Sequence, residues 1–149
     1  MAVQKYGILS RRMQPRFGFR EHAHTADWEL EVWAPDLPAL LEQAARGMYA
    51  LSGMRLDAGS PQERSIAFHA GDEEGLLVHF LSELLWLEQE DKLGFDHFSI
   101  TVDNQYGLWA ELCGGPIVNL DKEIKAVTFH NLKVEHTPHG LQVNIVFDV

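Results

Sequence analysis

The sequence predicts an α+β two-layer sandwich, with a mixed or mostly antiparallel sheet carrying two main helices. Two stretches repeat apolar residues at helical spacing, at 37–51 and 76–87. Runs of period-two alternation lie before, between and after them. With 149 residues, 46% hydrophobic and 23% charged, the chain is one ordinary domain that buries a core without staples. Residues 1–16 carry Lys5, Arg11, Arg12 and Arg16 with little periodicity and read as a loosely ordered lead-in, and 17–149 as the single domain.

The first extended segment runs from Phe17 to Ala26. In the next, Trp28, Leu30, Val32 and Ala34 alternate with Glu29, Glu31 and Trp33, the pattern of a half-buried strand. Asp36 and Pro38 open a helix whose stripe is Leu37, Leu40, Leu41, Ala44, Ala45, Met48 and Leu51, and Gly53 is placed to end it. Leu56 to Glu63 reads as a loop and Ser65 to Ala70 as a short strand. The second helix starts near Asp72, with Glu73 and Glu74 suited to the positive end of its dipole, and Gly94 is its expected stop. Phe98–Asp103 and Leu108–Cys113 are strands joined by a turn near Asn104–Gly107, and Gly114-Gly115-Pro116 is expected to break the second. Ile124–His136 and Leu141–Val149 read as a hairpin through Thr137–Gly140. The order of elements hints at a weak β-α-β duplication. Trp28, Trp33, Trp86 and Trp109 are expected in the core.

Composition excludes several functions. Twelve Lys and Arg face 22 Asp and Glu, a formal charge of -10, so strong direct nucleic-acid binding is disfavoured and a cation or basic protein surface is the better partner. No segment reaches the length of about 20 apolar residues that spans a bilayer, and residues 1–16 contain no secretory apolar region. The single Cys113 has no intrachain disulfide partner and fits a reducing cytoplasm. Gly114-Gly115 lacks the spacing of a nucleotide-binding loop. His79 and Ser82 lie one turn apart on the second helix, with no oxyanion glycine pattern to support acyl transfer.

Metal-capable groups concentrate in Glu21-His22-Ala23-His24-Thr25-Ala26-Asp27. The His-x-His pair either begins a zinc site or belongs to a strand with one exposed and one hydrogen-bonded histidine. In the last strand Leu141, Val143, Ile145 and Phe147 form an apolar face, while Gln142, Asn144 and Asp148 share the other with Val146. Asp148 therefore points away from the core beside the carboxylate of Val149, and such oxygens suit Ca²⁺ or Mg²⁺. Lys125 is either a snorkelling edge residue or a placed cation.

His24-Thr25-Ala26-Asp27, the helix with Ala44-Ala45-Arg46-Gly47-Met48 at its centre, Leu77–Leu87, Ile124-Lys125-Ala126-Val127-Thr128-Phe129-His130 and the closing Phe147-Asp148-Val149 together resemble the archease family, in its order of blocks and from about Phe17 onward. The resemblance implies a non-enzymatic activator of an RtcB-type RNA ligase, promoting ligase guanylylation and multiple turnover in tRNA splicing or RNA repair. It also implies a divalent-metal site at Asp27, Asp148 and Val149, with Ca²⁺ ahead of Mg²⁺ or Mn²⁺, a functional lysine at Lys125 and a supporting role for His24. GTP is then used by the ligase and not bound by this chain. Three positions depart from the family pattern: Ala23 replaces an acidic residue, Phe129 replaces a tyrosine, and the Gly115–Glu123 connection is short. Two rival readings are a small metal-dependent hydrolase using His22, His24 and Asp27, and a chaperone-like adaptor for RNA-modifying proteins.

Overall fold

The computed structural model describes residues 15–23 and 27–149, with the backbone alone at Ala23 and Asp27. The lead-in, as far as residue 14, and His24 lie outside the described residues. In chain order the elements are β1 (Gly18–Ala23), β2 (Asp27–Ala34), α1 (Leu37–Ser52), β3 (Arg55–Leu56), β4 (Gln62–His69), α2 (Glu73–Asp91), β5 (Leu93–Val102), β6 (Gly107–Asn119), β7 (Ala126–Thr128), β8 (Glu135–Thr137) and β9 (Gly140–Asp148). Every strand pair is antiparallel. One sheet of five strands runs β1-β2-β9-β7, with β8 also on β9, and a second of four strands pairs β3, β4 and β5 with β6. The class is α+β, as the alternation and the two stripes predict.

The helices hold the sheets together. Helix α1 packs on β1, β2 and β5, and α2 on α1, β5 and β7. The shared core takes Leu30 and Val32 from β2, Ile145 and Phe147 from β9, and Leu40, Leu41, Ala44, Ala45 and Met48 from α1, all at or within 1% of full burial. Leu76, Leu77, Phe80, Leu81 and Leu84 of α2 close it, the apolar face expected from their spacing. Gly47 lets α1 approach the first sheet, because a Cβ there would lie 2.6 Å from a Leu30 methyl and 2.9 Å from the Phe19 ring.

Both helix starts follow from capping chemistry. An Asp36 carboxylate oxygen accepts the Ala39 N–H at 3.0 Å and an Asp72 oxygen accepts the Gly75 N–H at 2.7 Å. At its other end α1 closes on Gly53 in the left-handed conformation, φ 67°, with the Gly53 N–H donating to the Ala50 carbonyl. The stop of α2 differs from expectation: the left-handed cap is Lys92, φ 54°, and Gly94 already belongs to β5. A Cβ at Gly94 would meet Leu56 at 2.8 Å and collide with Met54, so this glycine serves close packing and not termination.

Other boundaries moved for related reasons. Strand β6 continues through Gly114-Gly115-Pro116, because a Cβ at Gly114 would sit 2.5 Å from the Phe95 Cα and one at Gly115 2.7 Å from the Asp57 carbonyl. These glycines let neighbouring backbones approach beside the irregularity between Phe95 and His97. The 56–63 loop shrinks, since Leu56 pairs with β6 and β4 begins at Gln62. The long hairpin arm divides into β7 and β8, which pair with opposite ends of β9. Between them the Leu132 N–H turns back to the Phe129 carbonyl at 3.1 Å, and Val134 is buried while its N–H donates to Glu74 at 2.7 Å. Of the four tryptophans, Trp28 packs partly against the core; Trp86 and Trp109 are more than half exposed, and Trp33 lies on the polar face of β2. Trp109 falls on the outward phase of β6, between buried Leu108 and Ala110.

One buried acid is unexplained by packing. Glu88 of α2 is 5% exposed, and burial, reinforced by Glu123, raises its carboxyl to about 7. Burial, with Glu88 adding to it, also pushes the Tyr49 phenol up, and its hydroxyl has no hydrogen-bond partner among the described residues.

Two predictions follow from these positions. Gly53→Ala should cost about 1–2 kcal/mol in urea denaturation, since alanine is strained in that left-handed cap and would also meet Asp121. A carboxyl raised from 4.5 to about 7 on folding stabilises fully below 4.5 and loses that contribution as pH rises through 7. Glu88→Gln should therefore flatten the pH dependence of stability in that window, removing a slope worth up to about 3 kcal/mol, as read from denaturation midpoints across the range.

Candidate functional site

The site is built where β2, β9 and β7 run side by side. Strand β9 is held by β2 on one flank and β7 on the other, and the register sets Asp27 opposite Asp148 and Asp148 opposite Ala126. One row inward, Trp28 and Val127 flank Phe147, which is fully buried. That burial fixes the phase of β9, so Asp148 turns outward, as its alternation predicts, and is exposed.

Directly opposed residues of an antiparallel pair share one face of the sheet, with Cα atoms about 4.5–5.5 Å apart. The side chain of Asp27 lies outside the described residues, and it is the register that brings the two carboxylate positions together. Like charges so opposed are unfavourable unless a cation accompanies them. One source of positive charge borders Asp148. The N–H of Lys125 donates to the Asp148 carbonyl at 2.8 Å, which puts this exposed lysine at the rim, immediately before β7. Lys122 places its Nζ 3.6 Å from the centre of the Trp28 ring, and Trp28, as the partner of Phe147, lies on the face opposite to that of Asp148. Nothing in the sequence pattern singles out Lys122; the signal is its position over an aromatic ring brought from another strand. Val149 follows Asp148 with its side chain partly buried against the core.

Among the described residues the rim offers the Asp148 carboxylate and main-chain oxygens, donors of the kind a hard cation takes. No group of three His, Cys, Asp or Glu side chains able to hold a metal occurs among the described residues, whose side chains do not include Asp27.

The other candidates are dispersed. His22 pairs with Glu29 across the β1–β2 ladder and its Nε2 is 3.0 Å from Glu31 Oε1, a histidine hydrogen-bonded within the sheet. His79 stacks on Phe68 with ring centres 3.7 Å apart and faces Glu83 at 3.4 Å, while Ser82 is exposed. Cys113 is half-buried and free. Sequence reasoning passed over Arg20, whose guanidinium is largely buried beside Glu31 and Trp33. A charged residue on an alternating strand carries no mark that it will be covered.

No helix among the described residues is long and apolar enough to cross a membrane. The sequence pattern of the archease protein family (MTH1598/TM1083) matches residues 19–149, which include both flanks of the rim. The chain is 30% identical over 131 residues to a protein archease of Thermococcus kodakarensis, covering 82% of this chain and 91% of that one. It is 30% identical over 136 residues to one of Methanosarcina barkeri, covering 85% and 92%. Among solved structures, the solution structure of Methanobacterium thermoautotrophicum protein 1598 superposes with a TM-score of 0.68 at 23% identity, over 89% of this chain and 99% of that one. A Thermotoga maritima archease, described as a possible chaperone, superposes with a TM-score of 0.66 at 22% identity, over 95% and 100%. These last two share the fold, and the extended match of sequence pattern and relatives assigns the chain to the archease family.

Proposed function

We propose that this chain is a non-enzymatic activator of an RtcB-type RNA ligase, working in the cytoplasm in tRNA splicing or RNA repair. It promotes guanylylation of the ligase and its repeated turnover. Asp27 and Asp148, with the main-chain oxygens of Val149, hold a divalent cation, Ca²⁺ before Mg²⁺ or Mn²⁺, and Lys125 supplies a cationic group on the same rim. His24 is assigned a supporting role. The observation that carries this reading is the opposition of Asp27 and Asp148 in register, because two acidic positions set opposite one another are unfavourable without a cation.

When bound, the cation supplies a dense positive charge at the edge of the sheet. The chain's own contribution is rigidity: Phe147 anchors β9 from beneath, and β2 and β7 fix its two flanks. Ligands carried on paired strands are held in place better than ligands on loops. The formal charge of -10 fits a protein that acts on a ligase, since phosphate contact with RNA would need a basic surface of its own. GTP belongs to the ligase. Trp86 and Trp109 are more than half exposed, aromatic surface that favours a second reading as an adaptor that grips partner proteins.

Guanylylation of a cognate ligase, measured with labelled GTP with and without this chain, should be stimulated by the parent. Asp148→Asn and Asp27→Asn should each lose that stimulation by about tenfold or more while keeping their circular dichroism, and Lys125→Ala should weaken it. Full stimulation by both carboxylate variants would overturn the metal-rim reading. Capture of the ligase by Asp148→Ala at parental strength, without stimulation, would leave the adaptor reading in its place.

Ca²⁺ titration by calorimetry should show one saturable site in the parent. The two Asn variants should bind at least about tenfold more weakly, since a carboxylate ligand is replaced by a neutral amide. Tight zinc with phosphoesterase turnover in the absence of any ligase would point instead to the hydrolase.

A further inference from the structure

The polar face of the five-stranded sheet carries a second constellation, about 20 Å from the carboxylate rim, since Trp33 lies roughly six residues along β2 at about 3.3 Å each. Arg20 of β1 is the Cα partner of Glu31 of β2. Its side chain is 16% exposed, its Nη1 stands 3.7 Å from Glu31 Oε1, and its guanidinium lies 5.5 Å from the centre of the Trp33 ring. The opposite edge of the guanidinium, Nε and Nη2, is buried and has no hydrogen-bond partner among the described residues.

Glu31 does not satisfy that edge. Its Oε1 already faces His22 Nε2 at 3.0 Å, and its Oε2 accepts from Gln142 Nε2 at 3.1 Å. One carboxylate is thus shared among an arginine, a histidine and an amide. A guanidinium edge left unpaired in a buried setting is costly unless oxygens meet it. Nε with one terminal nitrogen is the fork that fits two oxygens of one carboxylate or phosphate group.

The surroundings supply room and sign. Arg20, Glu31, Trp33 and Gln142 line a cleft of about 520 Å³, within the range of small-molecule sites, and exposed Arg16 and His139 stand at its edge. In a chain of formal charge -10, this cleft gathers, among the described residues, two arginines and a histidine around one already engaged carboxylate.

We propose that the cleft is a binding site for a small molecule bearing an oxyanion, a phosphate or carboxylate group seated on the Nε–Nη2 edge of Arg20. Because water does not reach that edge, docking turns the side chain toward the cleft and changes its contact with Trp33. Arg16 contributes attraction at the mouth, and His139 offers a ring nitrogen there. The site is separate from the rim, and does not depend on the ligase reading.

The full chain is titrated with sodium phosphate and, separately, with sodium acetate, at ionic strength held constant with sodium chloride, and followed by calorimetry and tryptophan fluorescence. Saturable one-site binding in either arm supports the site, and the arm that saturates at lower concentration names the group. Arg20→Lys keeps the charge but removes the fork, and should weaken binding about tenfold or more. Trp33→Phe should retain the heat and lose the fluorescence response, and Lys133→Gln, an exposed charge elsewhere, should bind as the parent does. Should Arg20→Lys disturb β1, the exposed double variant Arg16→Gln, His139→Gln supplies the test, with binding several-fold weaker on an intact fold. Unsaturable responses to both salts, or parental affinity in both Arg20→Lys and the double variant, would overturn the proposal.

Discussion

Strand β9 is the member on which the rest depends. Val143, Ile145 and Phe147 point inward and are buried to within 1% of completeness, each worth about 1.5–3 kcal/mol relative to exposure. A slip of a single residue against β2 would expose all three and drive Gln142, Asn144 and Asp148 into the core. The register is therefore settled by hydrophobic burial, and the polar consequences on the other face follow from it: Asp148 meets Asp27, Asn144 meets Glu31, and Gln142 meets Trp33. Electrostatics at the rim is a by-product of apolar packing beneath it.

Much of this could be read from residue order. The stripes of α1 and α2 are broad, their aspartate caps lie at the expected places, and the outward phase of Asp148 comes directly from alternation. What escaped depended on contacts between segments distant in sequence. Gly94, Gly114 and Gly115 read locally as breaks, yet each permits a close approach by a partner that local reading does not see. Trp86 and Trp109 read as core by size, and lie outside because neighbouring positions already fill the interior. The opposition of Asp27 to Asp148 needs the β2–β9 pairing, and periodicity alone cannot say which strands will be neighbours. In the structure that pairing sets Asp27 opposite Asp148 in register.

The two polar regions of the first sheet differ in kind. At one end the register gathers negative charge, with Lys125 beside it; at the other, a buried arginine is only partly answered by Glu31. A net charge distributed evenly would produce neither. An acidic chain can thus offer one place for a cation and another for an anion on the same surface, because each is governed by the few charges within a Debye length of about 8–10 Å and not by the total.

The connection that delivers Lys122 and Lys125 is pinned to the end of α1. The N–H groups of Asp121 and Lys122 both donate to the carbonyl of Ser52, at 2.8 and 3.1 Å. Helix length thereby acts as a ruler for a distant edge. Each residue inserted in or deleted from α1 would advance that carbonyl by about 1.5 Å and swing it through about 100°, carrying both lysines away from the strands they now border. The fold consequently absorbs a changed side chain on the water-facing side of α1 more readily than a changed count of its turns.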